Sequence, residues 1–320
     1  MNEKNLVICD EEFRYAERLS ENISGRSELA LKIYTCTDLE HVMELLNDRE
    51  IHILIIDEVF TQEERAKIQA EQVFVLTKEA CKDLRSGEKE VSKFQSSDQI
   101  LAEIFETYFE TTNQNILKSV KKSTCKMIAV YSPIHRIGKT TFAVALGKEL
   151  ARKEKTLYLN MEEYAGVEGQ FMKAEGRNLG DLLYYMRQEN GNTPLRLSTM
   201  VGKLGELDYI PPILISTDLK EIKLEEWKQL LETILENSAY ENVVLDLGEG
   251  VQGLFHILQL CDRIYMPVLD NTISKRKLNQ FEEELRCLQM QNLMQKTHQF
   301  TAVEDMETYA RKITKEEKKE

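Results

Sequence analysis

An alternation of short apolar runs with longer stretches of helical periodicity, repeated twice along the chain, limits what this sequence can fold into. In the first hundred residues the order is NLVICD, a helical stretch over 11–24, LALKIYT, another over 38–48, IHILIID, another over 61–71, then QVFVLT, EVSKF and a helix near 97–110. Strands joined through helices pair in parallel, because a parallel pair needs a crossover connection. A second series opens with KMIAVYS. It continues through a helix over 139–153, KTLYLN, a helix over 178–189, the extended LDYIPPILI, a helix over 224–237, NVVLDL, a helix over 251–260, DRIYMPV and a helix over 273–290. The last thirty residues read as helical and end in RKITKEEKKE, a solvated tail. The expected fold class is therefore α/β, with two doubly wound domains over 1–110 and 126–320, joined by the polar, increasingly basic linker 111–125.

A chain of 320 residues is long enough for two separate cores. With 42% apolar and 30% charged residues it has the balance of a folded, soluble protein. No apolar run reaches the roughly 18 residues of a membrane span. The N-terminus MNEKNLVICDEEF also lacks the order of a signal peptide, so the expected location is the cytoplasm. Cys9, Cys36, Cys81, Cys125, Cys261 and Cys287 are scattered without a C-x-x-C pair, which suggests neither zinc nor a disulfide framework. The net charge of -13 is uneven: residues 1–115 hold 13 Lys+Arg against 25 Asp+Glu, giving -12, and the remainder is nearly neutral.

The stretch YSPIHRIGKTTFAVALG, Tyr131 to Gly147, ends like a phosphate-binding loop. Gly138-Lys139-Thr140-Thr141 lies between a strand and a helix, where backbone N–H groups face an anion, Lys139 reaches phosphates and Thr140 ligates Mg²⁺. The usual pattern G-x-x-x-x-G-K-S/T begins with glycine, and Pro133 stands there instead. Later strands end in Asn160 with Glu162, and in Asp246, at the carboxyl edge where an α/β sheet collects ligands and a carboxylate holds a metal or orients water. Each acid alone reads as the start of a loop; together with Gly138-Lys139-Thr140 they read as a site.

On these residues the second domain resembles the MinD/ParA group of P-loop ATPases, whose loop runs K-G-G-x-G-K-T-T/S. The resemblance covers about 126–290 and places Ile134, His135 and Arg136 at the early lysine and two glycines. It implies ATP and Mg²⁺ as cofactors, Gly138, Lys139, Thr140, Thr141 and Arg136 as nucleotide contacts, and Thr140 and Asp246 as metal ligands. Glu162 and Asp246 would be the catalytic pair. In this group the early lysine crosses an ATP-sandwiched dimer, which Ile134 cannot do, so binding is expected to survive better than turnover. His135 and Arg136 either supply the missing cation or simply face solvent.

The first domain resembles a response-regulator receiver, a flavodoxin-like fold. That resemblance implies Asp57 as phosphoacceptor with Asp10, Glu11, Thr77 and Lys93 around it. Asp57, Thr77 and Lys93 are too closely spaced for complete crossover helices, so one is expected to be trimmed or lost, and Phe94 replaces the family's proline. A pseudo-receiver used for docking or dimerisation is the favoured reading over regulated phosphorylation.

The combination resembles the TadZ/CpaE family, which helps to localise the machinery for Tad (Flp) pili. It implies a cytoplasmic, ATP-binding homodimer, located at a pole or on a membrane assembly, with pilus or secretion proteins as partners. Nucleic acid and membrane contact are not indicated. The alternatives are an adaptor that binds no nucleotide and an active ATPase that positions cargo on DNA or membrane.

Overall fold

The computed structural model describes residues 3–26, 29–78, 83–112, 116, 125–166, 177–187, 193–302 and 305–316. The chain forms two compact units, Met1–Val120 with Pro194–Thr199, and Lys121–Thr193 with Met200–Glu320. The expected linker, 111–125, falls largely outside the described residues; Ile116 is buried in the core of the first unit, where its carbonyl accepts from the Ala30 amide.

In the first unit the order is β1 (Lys4–Cys9), α1 (Phe13–Ser24), β2 (Leu31–Cys36), α2 (Leu39–Asp48), β3 (Ile51–Asp57), α3 (Gln62–Arg65), β4 (Ala70–Thr77), β5 (Glu88–Ser92) and α4 (Ser97–Thr112). The strands form one parallel sheet in the order β2-β1-β3-β4-β5. Side chains alternate across a strand. Ile53 and Ile55 of β3 therefore enter one core with Leu19 and Ile23 of α1 and Ile104 and Phe105 of α4. Leu54 and Ile56 enter the opposite core with Val42 of α2, Phe60 and Ile68. Both faces are covered, which is why the strands read as near-continuous apolar runs.

The expected helix over 61–71 is corrected to four residues, and β4 already starts at Ala70. Thr61 and Glu64 form a capping box at its start. Arg65 ends it by turning inward to Glu88 at 3.0 Å and to the carbonyls of Phe60 and Asp83. Between β4 and β5 the described residues, Lys78 and 83–87, contain no helix, in line with the expected loss. The buried Arg65–Glu88 ion pair ties α3 to the start of β5.

The chain continues with β6 (Lys126–Val130), α5 (Lys139–Ala151), β7 (Thr156–Met161), α6 (Leu179–Arg187), α7 (Thr193–Met200), β8 (Gly202–Leu204), β9 (Leu207–Ile210), α8 (Ser216–Glu221) and α9 (Leu224–Asn237), all in the second unit except α7, most of which clusters with the first. It ends with β10 (Asn242–Leu247), α10 (Leu254–Leu260), β11 (Arg263–Val268), α11 (Thr272–Cys287), α12 (Asn292–Gln295), β12 (Thr297–Thr301) and α13 (Met306–Glu316). The sheet of the second unit has the order β12-β11-β6-β10-β7-β9-β8, parallel except for β8 against β9. One face is covered by α5 and α13: Phe142, Ala143 and Leu146 pack with Phe300, Met306, Ala310 and Ile313.

Two expectations in this unit are corrected. The last thirty residues are not wholly helical, because β12 adds a parallel strand beside β11; only Phe300 of THQFT is buried, so no alternating signal marks it. The extended run over 207–215 is a strand only to Ile210, and Gly205, at a φ of 66°, turns the β8–β9 hairpin. Cys9, Cys36 and Cys261 are buried, Cys125 is partly buried and Cys287 exposed, and Cys81 lies outside the described residues.

Candidate functional site

The phosphate-loop turn follows β6, an interior strand, which β10 and β11 flank. Such a position puts the loop at the carboxyl edge, in the crevice where α/β sheets take ligands. Ile134 and Ile137 are buried and anchor the loop, while His135 and Arg136 are exposed. Arg136 has a φ of 56° and Gly138 a φ of 77°. A left-handed backbone is the conformation glycine adopts at little cost and other residues avoid. Arg136 thus keeps the turn without the residue that makes it easy.

Gly138 caps the N-terminus of α5 with no side chain on the first-turn amides, so the positive end of the helix remains available to an anion. A Cβ on Gly138 would sit 3.1 Å from Cε of Met306, which ties the loop to α13.

Lys139, Thr140, Glu162 and Asp246 converge. The Lys139 ammonium pairs with the Glu162 carboxylate, donates to the Leu247 carbonyl and lies 5.8 Å from the Tyr131 ring. Asp246 is fully buried; its Oδ2 accepts from the Tyr158 hydroxyl at 3.1 Å, and its Oδ1 has no hydrogen-bond partner. Burial pushes the Asp246 carboxyl up to about 6, and Lys139 and the Thr140 hydroxyl only partly oppose it. Asn160, its register partner on β7, accepts from the Glu162 amide at 3.0 Å and leaves its own Nδ2 buried and unbonded.

Of the other expected contacts, Thr141 is exposed at the first turn of α5, and Arg136 is exposed in the loop. His135 lies 3.3 Å from Glu249. Sequence reading missed Tyr158, whose only signal was a tyrosine inside a buried strand that needs a partner for its hydroxyl. It also missed Gly248 and Gly250. A Cβ at Gly248 would come within 2.4 Å of Glu163 Oε2 and 3.1 Å of Glu162 Cα, so the loop after β10 lies directly against the loop that carries Glu162.

The first unit has its own cluster at the carboxyl edge of its sheet. Lys93 reaches Asp57 at 2.5 Å, Asp10 at 2.7 Å and Glu12 at 3.8 Å, and its ammonium lies 4.4 Å from the Tyr15 ring. Burial alone would raise the Asp57 pKa, but the hydrogen bond and charge of Lys93 outweigh it and hold the group low; at Asp10 burial prevails and the pKa is raised. Lys93 itself is raised, because two carboxylates offset its burial. Glu11 is exposed, and Glu12 is the second carboxylate beside Asp10 that Lys93 meets. Thr77 donates to Glu90 at 2.9 Å. Among the described residues no group of three or more His, Cys, Asp or Glu side chains is arranged to hold a metal ion.

Residues 2–109 match the family model described as TadZ-like, receiver domain. No curated protein matches the chain. Solved structures similar to it include a putative plasmid partition protein from Borrelia burgdorferi B31 bound to AMPPNP, at 20% identity over 58% of this chain and 88% of that one, TM-score 0.44. A ParA family ATPase from Chlorobium tepidum TLS is similar at 14% identity over 61% and 94%, TM-score 0.43. The MinC:MinD cell division complex of Aquifex aeolicus is similar at 16% identity over 61% and 89%, TM-score 0.43. The lysine-bridged acids of the first unit lie within the segment that matches the TadZ-like receiver model, followed in the chain by a second, mostly parallel-sheet α/β unit with a phosphate-loop turn.

Proposed function

We propose that this chain is an ATP-binding localisation or assembly factor for Tad-type pilus or related secretion machinery, acting as a nucleotide-dependent homodimer with weak or no hydrolysis. The observation that carries the nucleotide reading is the convergence of Lys139, Thr140 and the buried, partly unbonded Asp246 below a left-handed Gly138 at a helix N-terminus. These residues fit a Mg²⁺-nucleotide: Thr140 and Asp246 would hold the ion, which supplies positive charge against the phosphates. Gly138 and the first-turn amides would accept the phosphates, with Thr141 and Arg136 at the rim.

Weak turnover follows from two features. Ile134 is buried where the resembled group has a lysine, and Lys139 must leave Glu162 before it can reach a phosphate. Self-association is supported by Tyr164, Leu214, Ile215 and Ile273, 88%, 66%, 57% and 71% exposed, which follow β7, β9 and β11 on the same edge as the loop. The reading places the protein in the cytoplasm, at a pole or on a membrane assembly. Among the described residues no helix is long and apolar enough to cross a membrane. The apolar side of α13, Met306, Ala310 and Ile313, is already packed in the core with α5, which weighs against its use as a membrane anchor.

The test is molar mass by light scattering with and without Mg-ATP, for the wild type and Lys139→Ala. A dimer that forms with Mg-ATP in the wild type alone is the expected result. Mass indifferent to nucleotide in both, together with no thermal shift at millimolar Mg-ATP, would leave the adaptor reading instead.

A further inference from the structure

Among the described residues of the first unit, the large apolar side chains left exposed are Phe13 (55%), Met43 (41%), Val59 (48%) and Phe94 (76%). Three of them stand just beyond strand ends. Phe13 follows Glu12 after β1, Val59 lies two residues past Asp57 at the end of β3, and Phe94 follows Lys93 after β5. The residues they follow meet in space, since Lys93 bridges Asp10, Asp57 and Glu12, and the Val59 amide donates to Asp57 at 2.9 Å. Phe13, Val59 and Phe94 therefore surround one place, the carboxyl edge of the sheet. Its centre is closed, because Lys93 bridges the two buried acids and Thr77 is engaged by Glu90.

We propose that this edge is a docking surface for a cationic segment of another protein that presents apolar side chains. Exposed apolar side chains gathered on one face of a domain mark interaction sites. The charge selects the partner. Residues 1–115 carry -12, and at this edge Glu11, Glu12 and Glu58 outnumber Arg14 and Lys78. A second copy would set the same acidic surface against itself, whereas a Lys- or Arg-bearing segment gains from it. The inference does not depend on nucleotide binding by the second unit.

The test titrates the full chain into two fluorescent peptides of identical leucine and lysine content, one ordered so that a helix has an apolar face and the other scrambled. The amphipathic peptide is expected to bind about tenfold or more tightly than the scrambled one. Phe13→Ser with Phe94→Ser, checked for an unchanged melting temperature, is expected to remove that preference, as is Val59→Asp, while Met43→Ser keeps it. Equal binding of both peptides, or a preference that survives in Phe13→Ser/Phe94→Ser, overturns the proposal. A nucleotide-independent dimer of the wild type that this double variant abolishes would also overturn it, by making a second copy the occupant.

Discussion

Asp246 at the end of β10 and Asn160 at the end of β7 are register partners, and each leaves one side-chain polar atom buried without a hydrogen bond. Leaving a polar group in this state costs free energy, and such groups in native proteins call for an explanation. Both lie at the carboxyl edge, and Asp246 is beside Lys139 and Thr140, where the proposed Mg²⁺-nucleotide would satisfy it.

Asp246→Asn is expected to stabilise the protein in the absence of nucleotide and metal. The folded pKa, about 6, lies above the ordinary 3.8, so the folded state holds this proton more tightly than the unfolded chain. The cost of ionising Asp246 is therefore absent below pH 4, grows through the window between the two values and is complete above it. Thermal melts in a chelating buffer should show the variant gaining on the wild type across that window, reaching about 1–3 kcal/mol at pH 7. An identical pH profile for the two proteins would show that Asp246 is not desolvated as described.

Glu162→Gln is expected to tighten nucleotide binding while slowing any hydrolysis. Lys139 is held by Glu162 in this structure, and removing the carboxylate's charge frees the ammonium for phosphate. For a partly exposed pair the gain should be about threefold to tenfold in Kd, read by titration with a non-hydrolysable ATP analogue. Weaker binding would mean that Glu162 serves the nucleotide directly.

Arg65→Ala should destabilise the first unit by about 3–5 kcal/mol, because it strands Glu88 in a buried site and opens two carbonyls. Arg65→Lys should recover only part of this, since one ammonium cannot replace the forked contact. Urea melts of the three proteins measure the difference, and a loss below 1 kcal/mol for Arg65→Ala would show that the pair does not fix the shortened segment.

Gly248→Ala is expected to abolish the effect of Mg-ATP on melting temperature while the chain remains folded. The added methyl meets Glu163 Oε2 at 2.4 Å and Glu162 Cα at 3.1 Å; the first contact is relieved by a side-chain movement, the second only by a shift of the Glu162 backbone. A normal nucleotide response in this variant would show that nucleotide binding does not require the close approach of the β7 and β10 loops.

Much of this architecture was legible in the chain. IHILIID, NVVLDL and KMIAV are strands because a strand covered on both faces carries apolar residues at every position, and that is a local property. Gly138-Lys139-Thr140 was readable as a helix N-terminus for the same reason. The helix over 61–71 was misread because its termination depends on Arg65 finding Glu88, 23 residues further along the chain. β12 escaped notice because one buried phenylalanine makes no period.

The sequence by itself determined two parallel sheets, a turn able to receive phosphates and a set of acids placed at strand ends. Only the tertiary structure decided which charge answers which. It gave Lys93 to Asp10 and Asp57, Thr77 to Glu90, Lys139 to Glu162 and His135 to Glu249, and it left Asp246 buried with an unbonded oxygen. Periodicity reports which face of a strand or helix is apolar, because that depends on neighbours a few residues away. The partner and ionisation of a charged side chain depend on distance and burial, and those are set by residues far apart in the chain.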